Sequence, residues 1–256
     1  MARLTDTTRQ DQVTGETIVR IPTTIYQYGL PFGAGNSGSG NAVLQFAFQE
    51  ASGDIVDSVA SVTLADTGTI DYAQTATGPY MNFKGAKFTA NGEFFDKDSA
   101  TAEGDLGTGD FTIEWVTKIG ITAQATNITW STKAEAGVEG YVLLFQSNLT
   151  GYFYFRATDQ TTTAWQPTIT TPFDGLIHKY RLKATGRGTA EALLTFYVDG
   201  VSQATTSFTA QNGKTIKCGR LIFGWNQSVT YKMDGTIYEF RICQSGTANS
   251  GGPGGG

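Results

Sequence analysis

The segment Leu193-Leu194-Thr195-Phe196-Tyr197-Val198-Asp199-Gly200-Val201 reads as a strand running into a tight turn. Leu194, Phe196 and Val198 recur every second residue, the period at which side chains return to one face of a strand. Asp199-Gly200 is a hairpin signal, because a type I′ turn needs positive φ and glycine adopts it without a Cβ clash. Met233-Asp234-Gly235-Thr236-Ile237-Tyr238-Glu239-Phe240-Arg241-Ile242 reads as a closing strand begun by a glycine. Upstream, Gly107-Thr108-Gly109-Asp110-Phe111-Thr112-Ile113-Glu114-Trp115 puts Phe111, Ile113 and Trp115 on one face and Thr112 and Glu114 on the other. Glu114 is therefore read as solvent-facing. Tyr180 to Ala184 repeats the scheme, with Lys179, Arg181 and Lys183 outward. Tyr141-Val142-Leu143-Leu144-Phe145 is apolar on both faces and is expected near the sandwich centre. Gly151-Tyr152-Phe153-Tyr154-Phe155-Arg156 follows it as the second strand of a hairpin.

In order and spacing these segments resemble the laminin-G / concanavalin A-like lectin family. Ala42 to Phe48, leading into Gly53-Asp54-Ile55-Val56-Asp57-Ser58, is similar to the family's first strand and the Asp-Ser turn after it. Phe83-Lys84-Gly85-Ala86-Lys87-Phe88 is similar to its next strand. Asp174 to Tyr180 sits where the family often has Gly-x-Trp-His, with Leu176 or Ile177 in place of the tryptophan. The resemblance spans residues 41 to 243 and implies an all-β fold, an antiparallel two-sheet jelly-roll β-sandwich with an extended N-terminal arm.

Three regions are expected. Residues 1–40 form the arm, with a β-capable stretch at Thr17-Ile18-Val19-Arg20-Ile21 and a Gly/Ser-rich linker from Gly33 to Gly40. Residues 41–245 form the sandwich, and residues 246–256 a Gly-rich tail that cannot pack a core. A chain of 256 residues suits one large β domain with such appendages.

The net charge of −5, with no clustered Lys and Arg, argues against a nucleic-acid partner. No stretch approaches the roughly 20 apolar residues that a membrane-spanning helix needs, so membrane insertion is not expected. The segment Met1 to Thr8 lacks the apolar core of a secretory signal. The expectation is a chain not exported by the general route, or one that leaves the cell by lysis or within a particle. Cys218 and Cys243 are the only cysteines; a bridge, as in some relatives, and two free thiols both stay open.

Catalytic chemistry is sparse. Glycosidases on this sandwich carry Glu-x-Asp-x-x-Glu along one strand, and the chain has no such motif. Asp110 and Glu114 lie about 13 Å apart along a strand, too far for either glycosidase geometry. His178 is the single histidine, which excludes sites built on two imidazoles; it is read as a structural hydrogen-bonding group. No cofactor is expected. Calcium, which the family resemblance brings into view, has Asp96, Asp98 and Asp234 as candidate ligands, although aspartates in loops are also ordinary turn formers. Trp115 belongs to the core. Trp130, Trp165 and Trp225 lie among polar residues, where a ring beside amides suits sugar recognition; the plainer reading is that they cap a sandwich edge or fill an interface.

The expected function is a non-enzymatic virion structural protein displaying a lectin-like sandwich, as capsid decoration, head fibre or tail part, similar to such proteins of tailed phages. Ile25, Tyr26, Leu30 and Phe32 would anchor the arm, by strand addition or as apolar plugs. Partners would be other virion proteins, further copies of the chain and cell-surface polysaccharide. The alternatives are a free, extracellular carbohydrate-binding module and an enzyme of the glycosidase clan.

Overall fold

The structure, a computed structural model, describes residues 8–10, 17–19, 41–48, 50–75, 84–89, 92–97, 102–120, 126–132, 140–146, 150–169, 174–224 and 233–244. The chain divides into two compact units, Met1–Ser37 and Gly38–Gly256. In the first, β1 (Thr8–Gln10) pairs antiparallel with β2 (Thr17–Val19). The anchoring candidates Ile25, Tyr26, Leu30 and Phe32, together with Asp98, Trp225 and the tail 246–256, lie outside the described residues.

The second unit opens with β3 (Asn41–Phe46), β4 (Ile55–Val56), β5 (Thr63–Thr67), β6 (Asp71–Thr75), β7 (Lys84–Phe88) and β8 (Phe94–Lys97). Its middle holds β9 (Phe111–Ile119), β10 (Thr126–Thr132), β11 (Gly140–Gln146), β12 (Thr150–Arg156) and β13 (Thr162–Trp165). It closes with β14 (Ile177–Thr185), β15 (Leu193–Val198), β16 (Val201–Ser207), β17 (Leu221–Phe223) and β18 (Gly235–Gln244). One sheet runs β16-β15-β14-β9-β18-β7-β6, with β3 also paired to β18; the other runs β13-β12-β11-β10-β17-β8-β5-β4. The two form an antiparallel jelly-roll β-sandwich, and no α-helix occurs among the described residues.

Alternation selects the inward faces. Phe111, Ile113 and Trp115 of β9 are buried between the sheets, as are Leu194, Phe196 and Val198 of β15. Trp115 stacks on Tyr180 at 5.6 Å and reaches Phe145 of the opposite sheet at 6.3 Å. A second aromatic group gathers around Phe223, which meets Phe240 at 5.0 Å, Phe48 at 5.2 Å and Phe46 at 5.8 Å. Each such side chain contributes about 1.5–3 kcal/mol by leaving water, and the edge-to-face geometry adds to that.

Two local features foreseen in the sequence acquire a physical cause. Asp199 and Gly200 have φ of 49° and 83°, the paired positive values that a type I′ turn requires. At Gly235, where β18 crosses against β9, a Cβ would sit 2.3 Å from the Lys118 carbonyl oxygen; any side chain there would push the two strands apart. The Asp-Ser turn is also present. Asp57 is buried and accepts backbone N–H bonds from Gln45, Val59 and Ala60, tying the turn to β3. β11 lies third in from the β13 edge of its sheet, and Tyr141, Leu143 and Phe145 are buried in the core. Its two-sided apolarity arises because Leu144 on its outward face is buried as well.

Candidate binding surface

Glu114 corrects the sequence reading. It lies on the face opposite Trp115, as the alternation requires, yet it is fully buried rather than solvent-facing. Register supplies the reason: β9 is flanked by β14 and β18, which place Arg181 and Arg241 directly beside Glu114. Arg181 Nε donates to Oε1 at 2.5 Å and Arg241 Nη2 to Oε2 at 2.6 Å, while Lys179 Nζ lies 3.5 Å from Oε1. Lys179 and Arg181, read as outward, are thus turned sideways over the carboxylate and mostly buried. Burial pushes the Lys179 ammonium below its ordinary value, against the pull of Glu114. On the same face the Glu239 carboxyl accepts from Gln45 Nε2 at 3.1 Å. Burial drives its pKa well above the usual 4.5, outweighing the pull of Arg241 and Lys179. This is an internal ion cluster whose two carboxylates, Glu114 and Glu239, are fully buried.

His178 has the structural role read from the sequence. It is buried, with Nδ1 2.7 Å from Asp199 Oδ2 and Nε2 3.0 Å from Asp174 Oδ2. Both partners are acceptors, so both ring nitrogens must donate, which only the imidazolium does. Burial opposes that charge, but the hydrogen bonds to Asp199 and Asp174 outweigh it and the pKa is raised above 6.5. The ring ties the segment before β14 to the β15–β16 turn.

Arg187 went unnoticed in the sequence. Its guanidinium is buried against the Phe111 and Phe208 rings and donates to the carbonyls of Leu106, Gly107, Gly109, Gln211 and Lys214. Burial lowers its pKa from 12.5 to about 10. Nothing in the flanking Gly186-Arg187-Gly188 signals this, because all five acceptors come from distant loops. Of the calcium candidates, Asp96 is committed to Arg220, whose Nε donates at 2.8 Å with a second contact from Nη2. The Asp234 backbone carbonyl accepts from Gly120 at 2.6 Å. Among the described residues no group of three or more His, Cys, Asp or Glu side chains is placed to hold a metal. Cys218 and Cys243 are both buried and are not joined by a disulfide.

The tryptophans lead to the β11–β12–β13 edge. Trp165 on β13 pairs with Phe153 and packs against its ring edge-on at 5.7 Å; its ring is turned to the interior and half-buried, which matches the edge-capping alternative. Trp130 lies opposite Leu143 in the β10–β11 register. On β12, Gly151, Phe153 and Phe155 face inward, and Tyr152, Tyr154 and Arg156 are the partly exposed outward set. The Tyr152 and Tyr154 rings are parallel within 5°, with centroids 6.4 Å apart. The signal was present in the alternation Tyr-Phe-Tyr-Phe, where the amphipathic ring takes the wet face and the apolar one the dry.

No family model matches the chain, and no curated protein sequence matches it. Solved structures do. The binding domain of Paraclostridial Mosquitocidal Protein 1 is similar at a TM-score of 0.61 and 11% identity, over 82% of this chain and 50% of that one. The botulinum neurotoxin serotype D binding domain gives 0.57 and 10%, over 81% and 49%. A structure of botulinum neurotoxin type C, whose cell entry is described as dependent upon interaction with two ganglioside molecules, gives 0.58 and 10%, over 80% and 48%. This chain therefore spans about half the length of the chains it matches. At such identities the likeness is one of fold, an antiparallel β-sandwich, and function must be argued separately.

Proposed function

We propose that this chain is a non-catalytic, lectin-like binding domain that adheres to cell-surface glycans. The observation that carries this reading is the sandwich itself, shared with structures named as toxin binding domains, one of them linked by name to gangliosides. The titratable clusters support it from the other side: Glu114, Glu239, Asp96 and His178 are held by internal partners. A glycan array probed with the full chain tests the reading. Binding to at least one glycan class is the expected result, and silence across neutral, uronate-containing and sialylated glycans would overturn it.

The finer reading is that the domain is displayed on a virion, as capsid decoration, head fibre or tail part, and held there through Ile25, Tyr26, Leu30 and Phe32. Supporting it are the composition of residues 1–40, which differs from the rest, the Gly/Ser-rich stretch Gly33–Gly40 and the Gly-rich segment Ser250–Gly256. Replacing those four residues together by serine should abolish incorporation into particles while the sandwich still folds; unchanged incorporation would defeat the anchoring role.

A further inference from the structure

Resting on the glycan-binding reading, we infer that the outward face of β12, built from Tyr152, Tyr154 and Arg156, is the seat of a glycan chain. Successive pyranose rings lie against the two tyrosine rings, and the Arg156 guanidinium donates to a hydroxyl or carboxylate of the sugar beyond them. Three observations bring this surface forward.

The first is the ring geometry. Residues two apart on a strand advance about 6.6 Å, and the 6.4 Å centroid spacing with parallel planes shows that both rings keep one orientation along the strand. That spacing is near the outer limit of offset stacking, about 4.5–7 Å, so little of either ring is covered by the other. A row of aromatic faces at a regular step suits a polymer with a repeating apolar ring face.

The second is the relief around the row. Ala164 and Val142 flank Tyr154 in the register, and Gly140 and Thr162 flank Arg156. These side chains are short, and Ala164 and Thr162 are exposed. The tyrosines and the arginine therefore rise above their neighbours toward the β13 edge of the sheet. Two partly buried rings offer far less than the roughly 800 Å² per partner that a stable protein interface needs. They do offer what one or two sugar rings need.

The third is the arginine. Its Nη2 donates to Gln160 Oε1, and its Nε is buried, so the Nη groups are the ones that face a ligand. Gln160 is itself held in the β12–β13 turn, its backbone N–H donating to the Ala157 carbonyl at 2.9 Å. The guanidinium is thus positioned from one side, and its remaining Nη hydrogens can donate to a ligand oxygen.

The test uses the full chain, the glycan array above and affinity electrophoresis in gels containing the polysaccharides that score. Tyr152→Ala/Tyr154→Ala should weaken binding about tenfold or more, Tyr152→Phe/Tyr154→Phe should retain most of it, and Arg156→Gln should select against uronate-containing or sialylated chains. Equal binding by wild type and the alanine pair would overturn this site and leave the lectin reading standing. A wild-type chain that binds nothing would overturn both. A fall in oligomeric mass on alanine substitution would reassign the face to contacts between copies and also overturn the site. Should the alanine pair fail to fold, nitration of the wild-type chain decides. A bound glycan should protect Tyr152 and Tyr154 from modification; equal labelling with and without it would refute the assignment.

Discussion

Replacing Glu114 by glutamine separates the buried and solvent-facing readings of one residue sharply. The substitution keeps shape and removes charge, so Arg181, Arg241 and Lys179 would surround a neutral amide. Glu239 is a poor replacement counter-ion, because burial disfavours its charged form and raises its pKa. Breaking a buried pair by removing one partner costs about 3–5 kcal/mol, and here Glu114 is fully buried with Arg241 6% exposed. A solvent-facing glutamate would cost less than about 0.5 kcal/mol. With a urea m-value of about 3 kcal/mol/M, the expected midpoint shift is about 1–1.7 M. Unfolding should be followed by tryptophan fluorescence and far-UV circular dichroism together, since coincident transitions justify a two-state treatment. A midpoint within about 0.2 M of wild type would show that the ion cluster contributes nothing net. Glu114→Met/Lys179→Met/Arg181→Met/Arg241→Met provides a control, because replacing the carboxylate and its three cations by apolar groups should cost much less than breaking the cluster.

Four further outcomes are expected. The raised His178 pKa means the folded state holds that proton more tightly than the unfolded chain; its stabilisation is complete below about pH 6.5 and disappears as pH rises through the folded value. The stability gap between wild type and His178→Gln should accordingly narrow as pH rises above about 6.5, and a gap independent of pH would contradict the clamp. Arg187→Lys should destabilise by more than about 2 kcal/mol in thermal unfolding, since one ammonium cannot reach five carbonyls; a change below 0.5 kcal/mol would show the hub to be dispensable. Cys218 and Cys243 should react with a thiol reagent only after denaturation, and reductant should leave the melting temperature unchanged. Gly235→Ala should cost about 1–3 kcal/mol through the Lys118 carbonyl clash, measured by urea denaturation, and a neutral effect would mean that β9 and β18 separate freely.

Local chemistry alone was enough for much of this molecule. The two-residue period of Phe111, Ile113 and Trp115 names an inward face wherever the strand ends up. Asp199-Gly200 specifies its turn through backbone sterics that involve no distant residue. Assembled in order, such pieces also imply the sandwich, because strands with one apolar face must bury it against another sheet. The same period says nothing about what covers the opposite face. Glu114 and Tyr154 both occupy outward positions of inward-patterned strands, yet one is sealed beneath two arginines and the other stands partly in water. The difference lies in which strands flank them: β14 and β18 bring cations over Glu114, while the edge strand β13 brings only Ala164 beside Tyr154. Arg187 makes the same point, since its five carbonyl partners converge only once loops far apart in the chain have met.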